Sequence, residues 1–116
     1  MTITLYGIPN CDTVKKARSW LDARGIAHEF HDYKKHGADP ALVAEWMAEM
    51  GVDTVLNRRG TTWKKLSPEE QAKAASPEGA VTLLTQHPSM VKRPVVVHPG
   101  GLLVGFDEKQ WESALL

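Results

Sequence analysis

Strand-like segments occur in two groups, at residues 2–33 and 91–106, and the stretch 39–87 between them reads as helix. That separation limits the folds open to the chain more than any other feature. In the first group, "TITLYG" alternates β-branched and apolar residues up to Gly7, the pattern of a short strand. Asp12 to Arg24 then carries Val14, Ala17 and Leu21 at helical spacing and stops at Gly25, a residue suited to the position just past a helix end. "AHEFHDY" predicts a second strand. A strand, a helix and a strand in about thirty residues make a βαβ unit, with its two strands parallel.

The second group begins at Val91. "RPVVVHPGGLLVGF" holds two apolar runs, Val95 to Val97 and Leu102 to Val104, joined by "HPGG", a hairpin signal. Asp107 caps a final helix with Trp111, Ala114 and Leu115 expected to face inward. In the middle, Asp39-Pro40, Ser67-Pro68 and Ser76-Pro77 each give the N-cap and proline signal of a helix start. The first of these helices has an apolar face of Leu42, Val43, Trp46, Met47 and Met50 and ends at Gly51. With the helical block set aside, the order β-α-β, β-β-α describes an α/β, thioredoxin-like core: a four-stranded mixed sheet with helices packed on it. The expected organisation is a single domain, 1–116, with a helical insert at about 39–87.

Composition excludes several functions. Fourteen basic and fourteen acidic residues leave no net charge, so no global field favours nucleic acid or an anionic membrane. A single cysteine cannot form an internal disulfide. "MTITLYG" lacks the charged region and long apolar run of a secretory signal, and no apolar stretch is long enough to span a bilayer. The expected location is cytoplasmic. His28, His31, His36, His87 and His98 show no metal-ligand spacing, so no metal site is expected.

Cys11 lies where the loop holding Pro9 and Asn10 turns into the first predicted helix. Free cysteine is most often an inert small hydrophobe. Here, however, unpaired N–H groups and the positive end of a helix dipole favour a thiolate, and Lys15 adds a cation one turn on, while Asp12 opposes both if it points at the sulfur. A thiolate so placed suits attack on a disulfide or an electrophilic oxyanion. Arg93-Pro94 just precedes the third strand, a place where proline's missing N–H does no harm. In a thioredoxin-like fold this proline is cis and faces the cysteine; an ordinary strand-starting proline is the alternative. "LNRRGTTWKKL" gathers Arg58, Arg59, Lys64 and Lys65. With Lys15, Lys16, Lys92 and Arg93, eight of the fourteen basic residues fall in three short stretches. Converging on Cys11 they would form an anion site; otherwise they are three solvated patches.

"LYGIPNCDTVKKARSWL", "HDYKKHG", "LNRRGTTWKKL" and "KRPVVVHPGGLLVGF", in that spacing, resemble the arsenate reductase (ArsC)/Spx family, most closely its small YffB-type branch. The resemblance covers essentially the whole chain and implies a thioredoxin-like fold. It implies that Cys11 is the redox-active nucleophile and that Arg93, before Pro94, helps bind an oxyanion. The departures are specific. Glutaredoxin-coupled arsenate reductases resemble His-Asn-Pro-x-Cys, where this chain has Gly7, Ile8, Pro9, Asn10 and Cys11, and two of their anion-binding arginines align with Asn57 and Phe106. Spx regulators often carry Cys-x-x-Cys, where this chain ends the motif with Val14.

The expected function is therefore a thiol-disulfide oxidoreductase, arsenate reductase-like, with Cys11 as nucleophile. No cofactor is expected to be bound, and glutathione is the expected external reductant, because the chain has no second thiol to open a mixed disulfide. Arg93 and Arg59 are candidate anion-binding residues, Lys15 a support for the thiolate, and Asn10, Thr13 and Pro94 the shapers of the site. The partners are glutathione or another small thiol or disulfide, with glutaredoxin a further candidate; neither nucleic acid nor membrane is expected. Two alternatives stand beside this: an Spx-like regulator that binds RNA polymerase, and a weak or degenerate arsenate reductase.

Overall fold

The computed structural model describes residues 3–116, so Thr2 of the first strand-like segment lies outside the described residues. The chain divides into two compact units, one comprising the residues up to His36 together with Arg93–Leu116, the other Gly37–Lys92.

The first unit is built on β1 (Thr4–Gly7), α1 (Asp12–Ala23), β2 (Glu29–Asp32) and α2 (Tyr33–His36). Arg24 is the C-cap of α1, and Gly25 follows at φ +67, where its lack of a Cβ permits the left-handed turn. β1 and β2 pair in parallel, as a βαβ unit requires.

α3 (Pro40–Met50), α4 (Val52–Val55), α5 (Thr61–Lys65), α6 (Pro68–Ala72) and α7 (Pro77–Gln86) form the second unit, with short 3-10 turns at Lys73–Ala75 and Pro88–Met90. All three proline start signals are used. The side chains of Asp39, Ser67 and Ser76 each accept a hydrogen bond from a first-turn N–H, and proline occupies the first turn. Val43, Trp46, Met47, Leu83, Leu84 and Met90 are among the residues buried in it. The expectation of a strand-free stretch needs one amendment: Leu56 forms a single antiparallel bridge with Val91. The Asn57 N–H donates to Met90 O at 2.7 Å and the Lys92 N–H to Val55 O at 2.8 Å, which gives this buried backbone its partners.

The chain completes the first unit with β3 (Val95–His98), β4 (Gly101–Val104) and α8 (Glu108–Leu115). Sheet order is β2-β1-β3-β4, with β3 antiparallel to both neighbours. This is the four-stranded mixed sheet of a thioredoxin-like fold. Register explains the core. Leu5 pairs with Phe30 and with Val96, and Val96 with Leu103, so these four share one sheet face. Val14, Ala17, Trp20 and Leu21 of α1 and Trp111 of α8 pack with Leu5, Val96 and Leu103 on that face. Burying Trp111 completely removes a large apolar surface from water, worth upwards of about 1.5–3 kcal/mol for a side chain of that class. The expected inward face of α8 is narrower than its pattern suggested, for Leu115 is half-buried and Ala114 exposed. Among the described residues, no helix is long and apolar enough to cross a membrane.

Candidate functional site

At one edge of the sheet the strands end in a row. Gly7 pairs with Asp32, and the Tyr6–Val95 register, carried one step further, sets Pro94 level with Gly7. The Gly105 N–H donates to Pro94 O at 2.8 Å and closes the row on the β4 side. The next residues out are therefore Ile8, Tyr33, Arg93 and Phe106, and the loop to Cys11 leaves from this same edge.

Cys11 is the N-cap residue of α1, with extended backbone at φ −87 and ψ 126. Its N–H donates to Ile8 O at 3.2 Å, and its carbonyl accepts from the Lys15 N–H at 2.9 Å. The thiol makes no capping hydrogen bond, so the sulfur is not spent on holding the helix end. The side chain is half-buried and packs against the core of α1 and the sheet. Buried Ile8 anchors the loop, while Asn10, Asp12, Thr13 and Lys15 are exposed around the thiol.

The Arg93–Pro94 peptide bond is cis, and Pro94 is buried. Arg93 is half-buried and makes no ion pair among the described residues. It faces Tyr33 electrostatically. Burial drives the Tyr33 hydroxyl far above its ordinary pKa, with Tyr6 adding to the rise and Arg93 pulling it down. The Tyr33 side chain is buried, and its hydroxyl has no hydrogen-bond partner among the described residues. Its ring belongs to a group with Tyr6, His31 and His36, in which the Tyr6 and His31 centroids are 4.9 Å apart. "HDYKKHG" was noted in the sequence, but a buried unpaired hydroxyl beside an arginine leaves no signal there.

Arg59 lies in the Gly37–Lys92 unit, where its N–H donates to the Asn57 carboxamide at 3.0 Å and its side chain is exposed. Its neighbours are less available. Arg58 pairs with Asp53 and lies over the Trp63 ring, while the Lys92 ammonium reaches Asp53 O at 3.3 Å. Two of the eight clustered cations thus serve their own unit.

Phe106 is not a polar rim residue. Its ring meets Trp111 edge-on at 4.8 Å and 82°, and Trp20 meets both at steep angles, so three rings close one corner of the core. Beside them is a cleft of about 470 Å³, formed by Lys15, Lys16, Trp20 and Arg24 of α1 with Phe106 and Glu108. Sequence reasoning missed this cleft. The available signal was the spacing of Lys16, Trp20 and Arg24, which places them in one row along a helix. A hollow of similar size in the other unit, lined by Met47, Val52, Ala74 and Val81, offers no cation or thiol.

A sequence model described as the ArsC family matches residues 6–114. The solved structure of the YFFB protein is 46% identical, with a TM-score of 0.94, covering 98% of this chain and 99% of that one. An arsenate reductase (ArsC) related protein from Brucella melitensis is 44% identical, with a TM-score of 0.75, over 97% of this chain and 93% of its own. The global transcriptional regulator Spx of Streptococcus pyogenes is 27% identical over 97% of this chain and 84% of its own length.

Proposed function

The chain belongs to the ArsC family, and we propose that within it this protein is a thiol-disulfide reductase that draws its electrons from glutathione. The observation that carries the reading is Cys11 itself, a half-buried N-cap residue whose sulfur makes no structural hydrogen bond. In the proposed cycle the Cys11 thiolate attacks one sulfur of a disulfide. A Cys11–S bond forms, the S–S bond breaks, and the other half leaves as a thiolate. The thiolate of glutathione then attacks the mixed disulfide, leaving Cys11 reduced and the glutathione sulfur bonded to the former substrate half. The chain's single cysteine makes that external thiol necessary. Lys15 supports the anion, Arg93 attracts a carboxylate of the tripeptide, and Asn10, Thr13 and Pro94 shape the approach. Glutaredoxin is the natural second carrier of these electrons.

The test is formation of the glutathionyl adduct at two ionic strengths. Oxidised glutathione should add one glutathionyl group to Cys11. Arg93→Ala should slow the addition more at low than at high salt, since a Debye length of about 10 Å at 0.1 M screens the attraction of the anionic tripeptide. Arg59→Ala in the same assay asks whether the middle basic stretch takes part. Unaltered rates and salt dependence in both variants would sink the glutathione site.

The similarity to Spx supports a second reading, a regulator that docks on a protein such as RNA polymerase. Cys11→Ser separates the two: docking survives it, and reductase activity does not.

A further inference from the structure

Tyr33 and Arg93 flank the end of β1, from which the loop to Cys11 leaves. Tyr33 follows Asp32, which pairs with Gly7, and Arg93 precedes Pro94, which the register sets level with Gly7 on the other side. Their backbones therefore lie two strand spacings apart, roughly 10 Å, a gap that two long side chains close. The Tyr33 ring is held in place. It is buried, lies 6.3 Å from the Tyr6 ring at 29° and meets His31 at 5.7 Å and 69°. The Lys34 N–H donates to the Asp32 carboxylate at 2.8 Å, which pins the start of α2. The Tyr33 hydroxyl is sealed from solvent and has no hydrogen-bond partner among the described residues. A buried hydroxyl left unpaired costs free energy in the resting protein and calls for a reason.

That reason must act through a neighbouring side chain, because the hydroxyl offers no surface to a ligand. Arg93 is the cation whose field is felt there, lowering the hydroxyl pKa against the larger effect of burial. It is half-buried and makes no ion pair among the described residues. A guanidinium has five N–H donors, enough to serve a hydroxyl and an anion together. We infer that Tyr33 is a positioning residue for Arg93: its hydroxyl oxygen accepts one guanidinium N–H when an anion arrives at the thiol edge, and this turns the remaining donors toward a carboxylate bound beside Cys11. The inference rests on the reading in which Arg93 attracts the anionic tripeptide. A phenol fixed by its own packing holds the guanidinium in fewer conformations, so less freedom is lost when the carboxylate binds. Tyr33 thereby favours disulfides that carry a carboxylate over those that do not.

Rates of adduct formation at Cys11 with two disulfides test this: oxidised glutathione, which carries carboxylates, and cystamine, which has none. Tyr33→Phe should slow the glutathione reaction at low salt by about three- to tenfold, the worth of one net hydrogen bond, and leave the cystamine rate unchanged. In an Arg93→Ala background the same substitution should do nothing further, because the hydroxyl acts only through the guanidinium. With Arg93→Ala slowing the glutathione reaction, three results would overturn the inference and leave the glutathione reading standing. These are equal slowing of both disulfides by Tyr33→Phe, no slowing of either, or effects of the two substitutions that simply multiply. No effect of Arg93→Ala, or no reaction at Cys11, would overturn the glutathione reading instead. The contact would then be judged by exchange of the Arg93 side-chain Nε–H with water in the presence of inorganic phosphate. Slower exchange in the wild type than in Tyr33→Phe supports it, and equal exchange rejects it.

Discussion

A Cβ placed on Gly7 would fall 2.7 Å from Cγ2 of Val14, closer than real side chains approach. Val14 is completely buried in the core under α1 and cannot swing aside. This packing, rather than a left-handed backbone, reserves position 7 for glycine. Gly7→Ala should therefore destabilise the protein by about 1–3 kcal/mol, the usual range for overpacking. Adding Val14→Ala should make the double variant more stable than the sum of the two single losses. Urea denaturation of the four proteins checks this, and strict additivity would deny the contact.

Arsenate reduction should be poor or absent. The positions that resemble a histidine and two arginines in arsenate reductases hold Gly7, Asn57 and Phe106. Each missing charge-assisted bond to the oxyanion is worth about 1.5–3 kcal/mol. Phe106→Arg should not restore activity and should lower stability, because it removes the ring contacts with Trp20 and Trp111, worth about 0.5–1.5 kcal/mol per aromatic pair. The check is arsenate turnover with glutathione and glutaredoxin, alongside a thermal melt. Robust turnover by the wild type would refute this.

Cys11→Ser should abolish disulfide reduction yet fold with equal or slightly higher stability. Position 11 is an N-cap whose sulfur makes no capping bond. A serine hydroxyl there can accept from a first-turn N–H, a gain of up to about 1 kcal/mol that offsets the sulfur's lost packing. Chemical denaturation of the reduced proteins decides. A loss of more than about 2 kcal/mol would mark the sulfur as core.

Stability should fall as the medium becomes strongly alkaline, and Tyr33 should account for part of the fall. Burial raises its folded pKa well above the ordinary value of 10.0. The folded state therefore keeps a proton that the unfolded chain gives up. The stabilisation is complete below pH 10 and is lost above it, at about 1.4 kcal/mol per pH unit for one such group. Tyr33→Phe should flatten that slope. At neutral pH it should change stability little or raise it, since the hydroxyl it removes is buried without a partner among the described residues. Denaturation at pH 8, 10 and 11 gives the comparison.

Local signals carried much of the architecture. The Asp39, Ser67 and Ser76 caps, the Gly25 stop and the turn after His98 are chemical facts about single residues, and each element formed where its signal stood. The same holds for Cys11 at the start of α1. Ala114 was misjudged because helical periodicity marks a face without saying how wide a neighbour covers it.

The amino-acid order by itself determined the longer elements, the placement of the thiol at a helix start and the family to which the chain belongs, because each depends on short-range spacing or on motifs along one chain; the short helices at Tyr33–His36, Val52–Val55 and Thr61–Lys65 carried no such signal. Tertiary structure alone decided which residues meet. It set Pro94 level with Gly7 through strand register, turned Phe106 into a core ring beside Trp111, and occupied Arg58 and Lys92 with Asp53. It also buried the Tyr33 hydroxyl and opened the cleft between α1 and the start of α8. Such contacts join residues far apart in sequence, and their energies depend on burial and on a few tenths of an ångström, quantities that exist only once the chain has folded.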